Sequence, residues 1–580
     1  MSQYGLNDEQ WRVVSYESAD SKVPSILMTS ASAGSGKTRC LVEKIHFLLD
    51  SGISARSIIA CTFTNKAANE MKSRIKAFCP AVKDMQISTI HSMSVRIIKT
   101  FPQFTPLKVP FSIYDDGDQM SVIKTILKAR KMENNPYEIM SLISKAKAEG
   151  CLIEDEKIEE IRQIYQNILV KNNAADFDDL LTYARDCLKN NTCKNHYSNL
   201  WQHILVDEFQ DTSLIQFEIV TLLYDPLKTK TMFVVGDWNQ SIYGWRLAHP
   251  ENIDKFIKLF NPAVMALSYN YRSAPEIIVH ANAHLQFGNP MVAKSNIKGS
   301  ISMTAFKDQE EEANRIADAI YKIGDYENTA ILYRVNTRSL LFEKSFAMKR
   351  IPYKVLGDIP FYRRRIVKDL LSYCKAATNP QDIESLTRIV NVPKRGFGES
   401  KQEKLLTEGR PYIESIANEM PEIKSLLDLL EEIKNQRPVQ AINEVIQRTN
   451  YRALLTKDTD LFMLDYFLDI ISGFNTIEEL ILTSNFLEED TGHGVKLMTA
   501  HASKGLEFNN VFVVGVEKGV WPHQLSENIP EEERLYYVAV TRAKQRLNIS
   551  CSKSRIYRGK PEFVAPSPLF YKSHKIIYNG

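Results

Sequence analysis

Eight residues near the N-terminus, Ala31-Ser-Ala-Gly-Ser-Gly-Lys-Thr38, constrain the fold more than any other stretch of the chain. The apolar run Ser25 to Thr29 precedes them and reads as a buried strand. Leu41, Val42, Ile45, Leu48 and Leu49 follow at helical spacing, and Gly52 can end that helix. A glycine-rich turn between a strand and a helix is the setting of a phosphate-binding loop. Gly34 and Gly36 let backbone N–H groups turn toward phosphate oxygens, and the helix N-terminus adds partial positive charge. Ala33, Gly34, Ser35 and Gly36 would then cradle the phosphates of ATP, Lys37 would pair with the β- and γ-phosphates, and Thr38 would hold Mg²⁺. The general pattern begins with Gly where this chain has Ala31.

A second apolar strand, Ile204 to Val206, delivers the adjacent carboxylates Asp207 and Glu208 at its C-terminal end, where open α/β sheets bind ligands. Asp207 is placed to coordinate Mg²⁺, and Glu208 to orient and deprotonate an attacking water. About 170 residues separate Lys37 from Asp207, more than one compact nucleotide-binding domain needs. Something is inserted between two halves of one site. Further buried strands are read at Ser57 to Thr64, Met232 to Val235, Ala330 to Tyr333, Val495 to Met498 and Val511 to Val514. Strands alternating with helices predict an α/β fold with parallel sheets. Residues 96–198 and 376–490 lack the alternation and read as helical insertions.

The 73 basic and 70 acidic side chains leave a net charge of only +3, so no whole-molecule basic field draws in nucleic acid. Any such path depends on local clustering, as in Arg363, Arg364, Arg365 and Lys368. The eight cysteines form no CxxC, which argues against a zinc or iron–sulfur site, and free thiols suit a reducing cytoplasm. With no signal-like N-terminus and no apolar run of about 18 residues, a soluble, cytoplasmic protein without membrane contact is expected.

Taken in order, the blocks resemble the UvrD/Rep family of superfamily 1 helicases over nearly the whole chain. Leu6-Asn7-Asp8-Glu9-Gln10 is similar to its Q motif, Cys61-Thr-Phe-Thr-Asn-Lys-Ala-Ala68 to motif Ia, and Thr89-Ile-His-Ser92 to motif Ib. Gly236-Asp-Trp-Asn-Gln-Ser-Ile-Tyr-Gly-Trp-Arg246 resembles motif III and Tyr269-Asn-Tyr-Arg-Ser273 motif IV. Thr499-Ala-His-Ala-Ser-Lys-Gly-Leu-Glu-Phe508 resembles motif V, and Glu533-Arg-Leu-Tyr-Tyr-Val-Ala-Val-Thr-Arg-Ala543 motif VI. The resemblance implies two RecA-like parallel-sheet domains, each with a mostly helical insertion. One would comprise residues 1–95 and 199–275 with insertion 96–198, the other 276–375 and 491–580 with insertion 376–490.

The same resemblance assigns roles. Gln10 would read the adenine and Tyr271 stack on it. Arg39 would lie near the nucleotide, Glu507 would reach the ribose, Gln240 would sense the γ-phosphate, and Arg272 and Arg542 would contact it as arginine fingers. Phe63, Tyr243 and Trp245 stand beside Thr64, Asn65 and Arg246. Aromatic faces stack on successive bases at about 1–3 kcal/mol each with little sequence preference. In the family their equivalents line the single strand, with His91 helping to hold it; Phe177 fits either that path or the core.

The implied activity is an ATP-dependent 3′ to 5′ DNA helicase with DNA-stimulated hydrolysis. It would act on single-stranded DNA and ss/ds junctions, in repair, replication or recombination, as a monomer or weak self-associate in a bacterial or phage setting. A translocase that strips bound proteins and unwinds poorly without a partner has nearly the same sequence and stays open. A non-motor scaffold is disfavoured by intact Lys37, Asp207, Glu208, Gln240, Arg272 and Arg542, and a helicase–nuclease by the short stretch after motif VI. Three positions depart from the family: Ser32 replaces a Gly, Trp238 falls in a usually acidic run, and Ile366 stands where Glu is expected.

Overall fold

The computed structural model describes residues 4–20, 22–357, 361–456, 458–488, 493–557 and 560–572. The chain forms two compact units. Unit 1 comprises Met1–Lys298 and Asn528–Thr541, and unit 2 comprises Gly299–Glu527 and Arg542–Gly580.

Unit 1 is built on strands β1 (Ser25–Ala31), β2 (Ile58–Thr62), β3 (Gln86–Thr89), β4 (His203–Val206), β5 (Thr231–Gly236) and β6 (Ala263–Leu267). They lie side by side as β3-β2-β4-β5-β1-β6, every pair parallel. Every residue of β2, β4 and β5 is buried, because both faces are covered. Ile59, Cys61, Ile204, Val206, Met232 and Val234 enter one core. Ile58, Ala60, Leu205, Phe233 and Val235 enter the opposite one. This two-sided burial is why these strands read as continuous apolar runs. Each large apolar side chain so buried contributes about 1.5–3 kcal/mol.

In unit 2, strands β7 (Ser300–Phe306), β8 (Thr329–Tyr333), β9 (Tyr353–Leu356), β10 (Val495–Thr499), β11 (Phe508–Val513) and β12 (Ala543–Ser552) are ordered β7-β12-β11-β8-β10-β9. All pairs are again parallel. The molecule is therefore an α/β protein with two six-stranded parallel sheets.

Two helical regions carry cores of their own. Ile123, Ile126, Leu127, Ile139, Ile143, Ile161, Tyr165 and Leu169 pack together in the first. The second gathers helices from Arg365–Thr378 to Ile477–Glu488. Ile366, at the unusual position, fills an apolar place there, 4% exposed.

The edges of these regions differ from those read in the sequence. Helices Phe177–Lys189 and Asn191–Leu200 pack Leu181, Ala184, Cys187, Tyr197 and Trp201 onto the first sheet, so the chain rejoins that core before residue 199. Unit 1 also continues past residue 275 to Lys298, because Tyr269–Asn270 pairs with Val292–Ala293. It takes in Asn528–Thr541 as well, whose Tyr536 hydroxyl meets His280 Nε2 at 3.2 Å. Sequence periodicity marks a helix but not the sheet on which it lies. Among the described residues, no helix is long and apolar enough to cross a membrane.

Candidate active site and nucleic-acid track

Three adjacent interior strands, β4, β5 and β1, deliver the phosphate loop and its carboxylates to the C-terminal edge of the first sheet. After β1 the chain turns through Gly34 (φ 69°) and Gly36 (φ 90°), conformations that side chains resist. It then enters helix α2 (Lys37–Asp50), whose N-cap Gly36 supplies no side-chain acceptor and whose first turn has no acidic residue. The leading N–H groups and the positive end of the helix dipole are thus left for an anion. Lys37 Nζ is buried and makes no hydrogen bond among the described residues. Its ammonium lies 4.0 Å from an Asp237 carboxylate oxygen. A buried ammonium without a hydrogen bond among the described residues, beside a glycine cradle, fits a phosphate.

Thr38 Oγ1 donates to Asp207 Oδ2 at 3.1 Å, joining two segments 169 positions apart. Asp207 is 4% exposed, and burial, then Glu208 beside it, push its carboxyl up to about 6, opposed by Lys37. A hydroxyl and a desolvated carboxylate at this spacing suit a divalent cation with oxygen ligands, so the residues present fit Mg²⁺. Glu208 follows in the left-handed region (φ 52°, ψ 44°), which turns its side chain sharply off the strand. Gln210 Nε2 donates to Glu208 Oε2, while Gln210 Oε1 accepts from the Asp237 N–H at 3.0 Å. Gln240 Nε2 donates to Asp237 Oδ2 at 2.6 Å.

Gln10, in helix α1 (Asp8–Val14), backs the loop: its Nε2 donates to the Ser35 carbonyl at 2.9 Å. Its Oε1 accepts from the Asn7 N–H at 3.3 Å. Arg39 donates to the Gly5 carbonyl at 3.0 Å. The Tyr271 N–H donates to the Gly34 carbonyl at 3.0 Å. Its hydroxyl accepts from Asn7 Nδ2, and the ring is 46% exposed. Arg272 adjoins the loop, since a Cβ on Gly34 would meet its Cβ at 2.9 Å. Its Nη1 donates to the Thr541 carbonyl at 3.2 Å. Unit 1 thus brings Gln10, Ala33 to Arg39, Asp207, Glu208, Gln240, Tyr271 and Arg272 to one place. Glu507 and Arg542 belong to unit 2, where Arg542 Nη1 donates to the Leu506 carbonyl at 3.2 Å and Glu507 pairs with Lys544 at 2.5 Å.

Four residues, three of them inside the quoted blocks, were not singled out by chemistry. Besides Asp237 and Gln210, Asn270 is fully buried and donates to the Ala33 carbonyl at 2.7 Å. Its Oδ1 accepts from Arg272 N at 2.9 Å and Ser273 N at 2.8 Å. Glu9 accepts from both the Ser268 N–H, at 2.8 Å, and its hydroxyl, at 2.6 Å. Buried amides and carboxylates of this kind hold loops rather than substrate, and their spacing carries no signature.

β2 and β3 end on the same edge and present the second set. Thr64 caps helix α3 (Asn65–Lys76), accepting from the Ala67 N–H, and Thr64 and Asn65 are exposed. The rings of Phe63 and Tyr243 stack, with centroids 5.2 Å apart and planes at 14°. Trp245 meets Tyr243 edge-on at 6.3 Å and is 63% exposed. The Arg246 guanidinium lies 4.7 Å from the Trp245 ring centroid. His91, in helix α4 (Ile90–Thr100), contacts the Phe177 ring edge-on at 6.0 Å, and burial holds its imidazole down to about 4. Phe177 is 45% exposed, so it is not core. One crevice is lined by Phe63, His91, Asp207 and Glu208 together. Trp238 instead lies half-buried against the core of the first sheet.

Comparison with known proteins identifies the family. The UvrD/REP helicase N-terminal domain matches residues 6–261. The UvrD-like helicase C-terminal domain matches residues 265–470 and 416–554. The ATP-dependent DNA helicase PcrA of Staphylococcus epidermidis is 34% identical over 93% of this chain and 83% of its own length. That of Staphylococcus aureus is 33% identical over the same shares, 93% and 83%. The two matched domains and the one-edged site lead to a single assignment: the chain belongs to the UvrD/REP helicase family.

Proposed function

We propose that the chain is an ATP-dependent DNA helicase that moves 3′ to 5′ along single-stranded DNA and opens duplex at ss/ds junctions. The observation that carries the reading is the shared sheet edge. The phosphate loop and carboxylate pair stand beside an aromatic ladder, and Phe63 and His91 line the same crevice as Asp207 and Glu208. A nucleotide change in one set is therefore adjacent to base-stacking side chains in the other. Relatives named ATP-dependent DNA helicase PcrA, both bacterial, support the reading.

Lys37 and the N–H groups of Ala33 to Thr38 hold the phosphates, with Tyr271 against the adenine. Thr38 and Asp207 would hold Mg²⁺, which when bound neutralises phosphate charge. Glu208 orients the attacking water and takes its proton, with Gln240 beside the γ-phosphate. Arg272 and Arg542 stabilise charge spread over the equatorial oxygens, a contribution worth about 10³–10⁵ in rate. Gln10 and Arg39 support the loop and the adenine end, and Glu507 serves the ribose. Phe63, Tyr243 and Trp245 stack on bases, while Thr64, Asn65, His91 and Arg246 contact the strand between them. The reading sets this work in a bacterial or phage-infected cytoplasm, in repair, replication or recombination, by a monomer or weak self-associate.

The test is ATP hydrolysis with and without single-stranded DNA, alongside unwinding of duplexes carrying a 3′ or a 5′ tail, with Lys37→Ala as control. DNA-stimulated hydrolysis with unwinding from the 3′ tail alone is expected. Stimulation without strand separation replaces the helicase by a protein-stripping translocase. Absence of DNA-dependent hydrolysis removes the motor.

A further inference from the structure

Helix Ile529–Val540, 12 residues long, touches both functional sets within unit 1. At its C-terminal end, the Thr541 carbonyl accepts from Arg272 Nη1 at 3.2 Å. At its N-terminal end, Glu531 Oε1 accepts from the Gly244 N–H at 3.0 Å, between the stacking residues Tyr243 and Trp245. One turn on, Arg534 Nε donates to the Ser241 carbonyl at 2.8 Å, and its Nη1 to Gln286 Oε1 at 3.0 Å. Arg534 is only 7% exposed, so these acceptors offset a desolvated guanidinium. Ser241 Oγ in turn donates to the carbonyl of Gln210, the residue whose amide holds Glu208. The approach at Gly244 is so close that a Cβ there would overlap the Glu531 carboxylate.

We infer that this helix is a tie between nucleotide and DNA strand, with Glu531 and Arg534 as positioning residues for the stacking loop Tyr243 to Arg246. A 12-residue α-helix is a stiff rod about 18 Å long. A shift of Arg272 toward or away from the phosphates pulls at Thr541. The rod carries that shift to Gly244 through Glu531 and to Ser241 through Arg534. The stacking rings are thereby re-aimed without any contact between nucleotide and DNA. Glu531 also accepts from the N-cap residue Asn528, so a simple helix-capping role is the alternative to be separated.

The inference rests on the reading that Arg272 serves ATP and Tyr243 and Trp245 serve DNA. Its test is the Kd for fluorescent oligothymidine with and without a non-hydrolysable ATP analogue and Mg²⁺. In the wild-type chain the analogue shifts that Kd by at least about fivefold, the lower end of usual coupling between sites. Glu531→Ala brings the ratio to within about twofold of one, while the nucleotide-free Kd stays within about threefold of wild type. Glu531→Gln keeps an acceptor for the Gly244 N–H and retains the wild-type ratio. Three results overturn the tie: Glu531→Ala with the wild-type ratio, Glu531→Gln failing like Ala, or nucleotide-free binding lost together with melting temperature. A wild-type chain with no DNA-stimulated hydrolysis sinks the functional reading itself. Stimulation and a wild-type shift that survive Glu531→Ala sink the tie alone.

Discussion

At position 208 a glutamate occupies a left-handed backbone conformation, φ 52° and ψ 44°, directly after a buried strand. That conformation is unfavourable for a side-chain-bearing residue and persists where surrounding structure enforces it. Here the enforcement comes from Gln210 and from the Asp207 carboxylate, which accepts from the Glu208 N–H at 2.9 Å. Glu208→Gln is isosteric and keeps the turn, and it removes the proton acceptor together with its negative charge. The hydrolysis rate is expected to fall by about 10²–10⁴ with nucleotide affinity unchanged; single-turnover rates and equilibrium nucleotide binding check this, and a parallel loss of affinity would refute the assigned role. Asn270 behaves differently because it touches backbone, not substrate. Asn270→Ala leaves the Ala33 carbonyl and the Arg272 and Ser273 N–H groups without this partner, at about 1–3 kcal/mol per buried group. Both a lowered denaturant midpoint and a raised KM for ATP are expected, since the proposed function sets Ala33 and Arg272 beside the phosphates. Lys37, Asp207 and Glu208 were legible because a strand, a turn and a helix frame them in sequence. Asn270 was not, because its partners in the loop are 237 positions away.

Among elements, seven of the eight inner strands read as apolar runs, whereas inner β12 and the outer strands did not. Those read in advance include β1, β2, β4, β5, β8, β10 and β11, all with neighbours on both sides. The four edges of the two sheets, β3, β6, β7 and β9, escaped. Ser300–Phe306 alternates exposed and half-buried positions, and Ala263–Leu267 does much the same, so neither forms an apolar run. Edge strands are half-solvated, and their sequences say so. The aromatic ladder was legible as composition but not as geometry, for nothing in the sequence shows Phe63 and Tyr243 lying face to face. That contact makes a prediction separate from simple base stacking. Each single alanine variant should weaken single-stranded DNA binding by about 1–3 kcal/mol. Because the rings also stack on each other, the double variant should cost less than the two singles together by at least about 0.5 kcal/mol. Fluorescence anisotropy across the double-mutant cycle measures the difference, and strict additivity would mean that the rings act as independent platforms.

For the molecule as a whole, a net charge of +3 leaves little overall field, and the response to pH comes from buried groups of opposite sense. Burial holds the imidazoles of His91, His203 and His280 down to about 4, against about 6.5 in an unfolded chain. Below pH 6.5 the unfolded chain takes up these protons and the folded one does not. The stability each histidine contributes is therefore complete above about pH 6.5 and is lost as pH falls toward 4. Asp207 and Asp178 run the other way: burial pushes both up to about 6, so the folded chain takes up protons first and gains relative stability from pH 6 toward 4. The aspartates oppose the histidines over nearly the same window, which is expected to flatten the whole-chain profile between pH 6.5 and 4. A single histidine is then visible only by difference. His280 is fully buried, with Nε2 3.2 Å from the Tyr536 hydroxyl, so His280→Phe gives up that contact and is less stable at pH 7.5. The variant lacks the proton uptake that erodes the wild type, so the gap should close by about 1.4 kcal/mol for each pH unit below 6.5. Denaturant midpoints at pH 7.5 and 5.5 read that gap directly. A constant gap would mean that His280 takes a proton as readily in the folded chain as in the unfolded one, and that its burial beside Tyr536 does not keep the imidazole neutral.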